Sequence, residues 1–107
     1  MVIYNQEVEA KSCEPGVKRK ILCYTEKMMM CEVSFEKGAE GYLHSHPHLQ
    51  TTYVAKGSFA FTIDGETFYV KAGDSLLMPA NCIHGTKALE DGVLVDVFHP
   101  MREDFIK

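Results

Sequence analysis

Hydrophobic and polar positions alternate over short stretches of this chain, and no helical period persists anywhere along it. Alternation with a period of two is typical of β-strands that bury one face. In residues 28–35, for example, Met29, Cys31, Val33 and Phe35 share one face. The predicted strands span residues 20–25, 28–35, 51–55, 58–63, 66–70, 75–78 and 93–98. Only the tail, residues 101–107, is predicted to hold a helical turn.

Glycine, proline, asparagine and aspartate separate these runs, as expected for turns and loops. Asp64-Gly65 predicts a tight hairpin, because glycine accepts the positive φ that such a turn requires. Residues 72–74 predict a further turn and residues 37–41 a loop. Many short strands without a long helix indicate an all-β fold, either a double-sheet antiparallel jelly roll or a small barrel. The chain has 107 residues and no linker or repeat, so we expect one compact domain.

Composition narrows the classes of function. Eleven basic and fifteen acidic side chains give a net charge of -4, and no basic cluster with interleaved aromatic residues is present. Both features argue against a nucleic-acid partner. No apolar run is long enough to span a bilayer, and the first residues lack the apolar segment of a signal peptide. We therefore expect a cytoplasmic protein without a membrane partner.

The four cysteines, Cys13, Cys23, Cys31 and Cys82, form no Cys-x-x-Cys pair. In a cytoplasmic chain they are expected to be reduced. We interpret Cys23, Cys31 and Cys82 as small hydrophobic residues within strands. A place beside a metal is the alternative for Cys82, which lies two residues before His84.

The strongest chemical signal is the run His44-Ser45-His46-Pro47-His48. Along an extended strand, residues two apart project from the same face, so His44 and His46 can share one ion. His48 is in phase too, but Pro47 leaves its geometry open. His84 comes from a separate segment, which is how a metal site is usually closed. The pattern therefore predicts one divalent metal inside the barrel.

The spacing of glycines and proline around these histidines resembles that of a single-domain cupin. The first cupin motif is matched by Gly38, His44, His46 and Gly57, with Gln50 in the place of its glutamate. The second is matched by Gly73, Pro79 and His84, with Asn81 replacing a glycine and Ala88 an asparagine. The resemblance implies a double-stranded β-helix, or jelly-roll barrel, over residues 1–107, with its metal-binding motifs at 38–57 and 73–84.

Gln50 departs from the glutamate usual at this position. A neutral amide beside three neutral histidines leaves the full +2 charge on the ion, which favours Lewis acidity and anionic substrates. The alternative is a cupin that has lost its metal. Imidazole and amide ligands suit Zn or Ni, our first expectations, and also Fe, Mn or Co.

The last predicted strand and the tail contribute three further candidates. Val93, Val95 and Val97 form one face of this strand, and Asp96 shares the other with Leu94 and Phe98. Asp96 either faces solvent or points into the barrel, where it could move protons. Arg102 either is solvated or holds a carboxylate in bidentate fashion.

Gln50 together with the ending from Asp96 to Phe105 resembles the small cupins of the KdgF type, which are uronate linearases. In that family the metal ligands match His44, His46, Gln50 and His84, and residues important for activity match Asp96, Phe98 and Arg102. The resemblance implies an enzyme that opens 4,5-unsaturated uronate monosaccharides from pectin or alginate to 5-keto-4-deoxyuronate. It also implies an acidic sugar as substrate and a homodimer. A dioxygenase, a sugar isomerase or a non-catalytic module that binds acidic sugars remains an alternative on the same fold.

Overall fold

The computed structural model describes all 107 residues, from Met1 to Lys107. Ten strands make up most of the chain, accompanied by a 3-10 turn at Asn5–Glu7 and a four-residue helix, α1, at Glu103–Ile106. The strands are β1 (Lys11–Glu14), β2 (Val17–Thr25), β3 (Met28–Phe35), β4 (Glu40–His44), β5 (Leu49–Lys56), β6 (Ser58–Ile63), β7 (Glu66–Lys71), β8 (Ser75–Met78), β9 (His84–Ala88) and β10 (Gly92–His99). Neither helical segment approaches the length or apolar character that crossing a membrane requires.

The strands form two sheets in which every pairing is antiparallel. The six-stranded sheet has the order β1-β2-β3-β10-β5-β8, and the four-stranded sheet has the order β4-β9-β6-β7. The inward residues of both sheets alternate with outward ones, as in a double-sheet jelly roll. The predicted all-β fold with two antiparallel sheets is therefore confirmed.

Two apolar clusters fill the interior. The larger one includes the edge-to-face pair Phe35 and Phe59, whose ring centroids lie 5.2 Å apart, and joins the two sheets. The smaller one consists of Met29, Cys31 and Phe98, with Phe105 of α1 packed against it. The short C-terminal helix is thus anchored beside the last strand of the barrel.

All seven predicted strands are present, most of them longer by one to three residues. The tail forms α1, and the hairpin at Asp64-Gly65 has the positive φ values expected, 47° and 85°. Three strands were missed, β1, β4 and β9, and the loop predicted for residues 37–41 is wrong at its end because β4 begins at Glu40. These strands lack apolar alternation: β1 reads KSCE, β4 EGYLH and β9 HGTKA. Their pairing with neighbours, rather than local pattern, makes them strands.

The cysteines are all free thiols. Cys31 and Cys82 are buried, as predicted for small hydrophobic residues. The same prediction is wrong for Cys23, which is exposed on β2. Burial, together with the nearby Asp96 carboxylate, raises the pKa of Cys31 to about 12, so this thiol stays protonated.

Gly57 closes the first motif because no side chain fits there. Its φ is +82°, and an added Cβ would lie 2.6 Å from the carbonyl oxygen of Asp91. Gly38 has a similar φ, +86°, but open space around it. We expect Gly57→Ala to lower the free energy of unfolding by about 1–3 kcal/mol more than Gly38→Ala, because both share the left-handed strain and only Gly57 adds a clash. Denaturant titration of the two variants measures this difference, and equal losses would contradict the steric explanation.

Candidate metal centre

Three histidines converge where the two motifs meet. His44 ends β4 and His84 begins β9, and the two are directly paired in the four-stranded sheet. His46 lies in the segment that connects β4 to β5. One ligand atom from each histidine lies within 4.8 Å of the other two. The predicted histidine cluster is thus present, but His46 does not lie on a strand as expected, because β4 ends at His44.

Each of these rings is oriented by a hydrogen bond from Nδ1 to a backbone carbonyl oxygen. The acceptors are the carbonyl oxygens of Tyr42, His48 and Cys82, at 2.7, 3.1 and 3.1 Å. A carbonyl oxygen can only accept, so a neutral ring that donates from Nδ1 in this way keeps a free lone pair on Nε2. This second hydrogen bond is what usually orients metal-binding histidines.

Burial keeps two of the rings neutral. It lowers the pKa of His84 to about 4 and lowers the pKa of His46 as well. Nε2 of His84 is buried without any hydrogen-bond partner. A buried, unpaired lone pair is costly, and a bound cation would remove that cost.

Gln50, on β5, completes the donor set. Its amide nitrogen donates to Oγ1 of Thr52 at 3.0 Å and to Oδ1 of Asp96 at 3.2 Å. Thr52 in turn donates to the same Asp96 oxygen at 2.6 Å. These contacts turn the amide so that Oε1 lies 2.9 Å from Nε2 of His46.

His46 thus has an oxygen acceptor at each ring nitrogen, the His48 carbonyl oxygen at Nδ1 and Oε1 of Gln50 at Nε2, whereas its neutral ring carries one proton. With that proton on Nδ1, the lone pairs of Nε2 and Oε1 lie 2.9 Å apart and repel each other unless a positive charge lies beside both. The three Nε2 atoms and Oε1 of Gln50 therefore fit a divalent transition metal, and all four donors are uncharged. This set includes every residue that the sequence predicted as a ligand.

His48 and Cys82 lie beside this set and serve it indirectly. Nε2 of His48 donates to the Met101 carbonyl oxygen at 3.1 Å, and its own carbonyl oxygen orients His46. His48 is not part of the three-histidine group. The Cys82 thiol lies 3.6 Å from Nδ1 of His84, on the side of the ring away from Nε2. Cys82 is not part of the three-histidine group either.

A cavity of about 350 Å³ lies in front of the histidines. This volume falls within the range of about 300–1,000 Å³ that is usual for small-molecule sites. His44, Gln50 and His84 line it, together with Asp96, Phe98 and Arg102. The structure thus brings the predicted acid, aromatic and basic residues to the same cavity as three of the four predicted metal ligands. The fourth, His46, does not line the cavity, but its ring lies 4.9 Å from that of His84.

Asp96 faces this cavity rather than the solvent outside the barrel. It shares the inner face of β10 with the buried Leu94 and Phe98. Burial raises the pKa of its carboxyl group, and the hydrogen bonds from Thr52 and Gln50 oppose that rise. Both bonds go to Oδ1, and Oδ2 accepts none. One carboxylate oxygen is therefore left for a ligand.

Arg102 is held in place rather than solvated. Its side chain is only 11% exposed, and Nε and Nη2 donate to the two carboxylate oxygens of Asp104 at 3.0 and 2.9 Å. Its guanidinium carbon lies 5.2 Å from the ring centroid of Phe98 and 4.2 Å from that of Phe105. The hydrogen bonds from Arg102 lower the pKa of Asp104.

Two residues of this arrangement were missed from sequence. Thr52 supplies the hydroxyl that couples Gln50 to Asp96, and Asp104 fixes Arg102. Thr52 could have been found, because it is two residues after Gln50 and so shares its face of β5. Nothing in the sequence marked Asp104, because its contact with Arg102 depends on how the tail folds.

A two-sheet jelly roll with a histidine cluster beneath a small cavity defines a cupin, and comparison with known proteins agrees. The Cupin domain family matches residues 31–98. The pectin degradation protein KdgF of Dickeya dadantii is 46% identical over 93 residues, which cover 85% of this chain and 84% of that protein. The chain therefore belongs to the cupin family and, within it, groups with the KdgF proteins.

Solved structures support the same placement. KdgF from Halomonas sp. is 36% identical with a TM-score of 0.94, covering 98% of this chain and 97% of that one. An RmlC-like cupin from Shewanella frigidimarina is 38% identical with a TM-score of 0.94, covering 97% and 94%. The arrangement of the barrel is thus shared over nearly the whole chain.

Proposed function

We propose that this protein is a pectin-degradation enzyme that opens the ring of 4,5-unsaturated uronate monosaccharides to give 5-keto-4-deoxyuronate. The observation that carries the proposal is the hydrogen bond between Asp96 and Gln50, which couples a candidate proton carrier to a candidate metal ligand within one cavity. The similarity to a pectin degradation protein supports it.

We propose that His44, His46, Gln50 and His84 hold one divalent transition metal. When bound, the ion would supply Lewis-acid stabilisation of negative charge that develops on the substrate oxygens. Zn or Ni is the first expectation, with Fe, Mn or Co as alternatives, and elemental analysis distinguishes them. Thr52 and Asp96 keep the carbonyl oxygen of Gln50 turned toward the histidines.

The reaction needs two proton transfers, which this arrangement can serve. The anomeric hydroxyl loses its proton as the bond between C1 and the ring oxygen breaks, which forms an aldehyde at C1 and leaves an enol oxygen on C5. A proton delivered to C4 then converts this enol to the C5 ketone. Asp96 is the group that can accept and return a proton in the cavity, and its unpaired Oδ2 is the atom available for this. Arg102 offers its remaining N–H groups to the substrate carboxylate. Phe98 excludes water beside Asp96.

The test follows the double bond of the substrate. Purified protein is mixed with the unsaturated monosaccharide derived from galacturonate, and separately with that derived from mannuronate, and near-ultraviolet absorbance is recorded. We expect absorbance to fall faster than in buffer alone, and the keto-uronate product to form in step. Absorbance loss at the spontaneous rate with both substrates would refute the proposal.

The same experiment separates the alternatives. Oxygen consumption with iron bound, and no keto-uronate, would instead indicate a dioxygenase, and conversion to an isomeric cyclic sugar would indicate an isomerase. Tight binding of the acidic sugar without turnover would indicate a binding module. The homodimer implied by the family stays a prediction, which the mass in solution tests against the 12.1 kDa of one chain.

A further inference from the structure

A second arginine, Arg19, lines the same cavity as Arg102. Arg19 lies on β2 and shares the inner face of that strand with the buried Val17. Its side chain is half-buried and lines the same cavity as Gln50 and Asp96. The lysines on either side of it, Lys18 and Lys20, belong to the outer face of β2.

Arg19 is held in position without using any of its hydrogen-bond donors. Its guanidinium carbon lies 3.5 Å from the ring centroid of Phe105, a stacked contact that fixes the plane of the group. It makes no salt bridge, since the one ion pair of the structure joins Arg102 to Asp104, and it donates no hydrogen bond to protein. The five N–H groups of this charge are therefore free, although the residue is half-buried.

Arg102 differs in this respect. Asp104 occupies Nε and Nη2, the edge of its guanidinium that forms two parallel hydrogen bonds with a carboxylate. The corresponding edge of Arg19 has no partner in the protein. Of the two arginines that contact Phe105, Arg19 is thus the one equipped for a bidentate grip on an anion.

We propose that Arg19 is a specificity-determining residue that binds the carboxylate of an acidic sugar in this cavity, while Arg102 contributes a single additional contact. The nature of the acid as a uronate rests on the proposed function, but the selection of a carboxylate over a neutral group does not. Stacking on Phe105 lowers the entropy cost of the grip, because the guanidinium is already oriented before the ligand arrives.

Binding rather than turnover tests this proposal. Galacturonate, which has no ring double bond to react, and galactose, its neutral counterpart, are titrated by calorimetry into wild-type protein, Arg19→Met and Lys18→Gln. Methionine keeps much of the length and the apolar contact of arginine without the charge. Lys18→Gln removes one positive charge from the outer face of the same strand.

We expect wild type and Lys18→Gln to prefer galacturonate over galactose, and Arg19→Met to bind galacturonate roughly 10- to 100-fold more weakly with galactose binding unchanged. A change in the ratio of the two affinities is the readout that a merely structural role of Arg19 would not produce. Unfolding in denaturant checks that α1 and the barrel remain folded, and Phe105→Leu, which removes the stacking but keeps the charge, is expected to cause a smaller loss.

Equal affinity of Arg19→Met and wild type for galacturonate would overturn the proposal, as would a wild type that does not discriminate between the two sugars. A charge-selective wild type without ring-opening activity would refute the proposed function and leave the role of Arg19 standing. Ring opening by Arg19→Met with the KM of wild type would support the proposed function and refute the role of Arg19.

Discussion

Asp96→Asn is expected to lower kcat for ring opening by about 100- to 10,000-fold, the usual contribution of a positioned acid or base. The amide has nearly the shape of the carboxylate, and its oxygen can still accept hydrogen bonds from Thr52 and Gln50, so the candidate metal ligand keeps its orientation. The variant loses the ability to take up and return a proton at Oδ2. Initial rates with the unsaturated monosaccharide measure the effect, and elemental analysis shows that the metal is retained.

Asp91→Asn is the matched control. It makes the same change of charge on an exposed residue, whose carboxylate accepts a hydrogen bond from the backbone N–H of Lys37. We expect wild-type kcat from this control. Full activity of Asp96→Asn would remove Asp96 from the mechanism, whereas loss of metal along with activity would assign Asp96 the task of orienting Gln50 instead.

Replacing His84 by alanine is expected to abolish stoichiometric metal binding and bring ring opening down to the uncatalysed rate. Mutating residues that only orient metal ligands costs about 10- to 100-fold in affinity, so removing a ligand is expected to cost more than 100-fold. His84 has the clearest need for a ligand, since its buried Nε2 has no partner in the protein. Metal content after dialysis and the rate of absorbance loss are the two measurements.

His99→Gln serves as the control for this variant, because His99 is exposed and bonded only to the Lys27 carbonyl oxygen. Added metal is expected to raise the unfolding midpoint of wild type and of His99→Gln, since a ligand that binds only the native state stabilises it, and to leave that of His84→Ala unchanged. One tightly bound metal per chain in His84→Ala would contradict the assignment of His84 as a ligand.

The contact between Gln50 and Asp96 shows which features of the site could be predicted from the sequence and which could not. Their types and their places on inward faces could be inferred from alternation and from motif spacing. Their contact could not, because it depends on the register in which β10 pairs with β5, where Asp96 lies opposite Thr52. A shift of one residue would turn Asp96 to the outside of the barrel. The sequence left open whether Asp96 faces solvent or the inside of the barrel, and only the pairing of the strands decides between the two.

The sequence by itself determined the all-β class, seven of the ten strands and the four candidate metal ligands, because alternation and motif spacing are local properties of the chain. Tertiary structure decided how the candidate site is assembled. The pairing of His44 with His84, the contact of Gln50 with Asp96 and the stacking of Arg19 on Phe105 all join segments far apart in sequence. The four candidate ligands could thus be named from the sequence, whereas their convergence arises only when both sheets pack together.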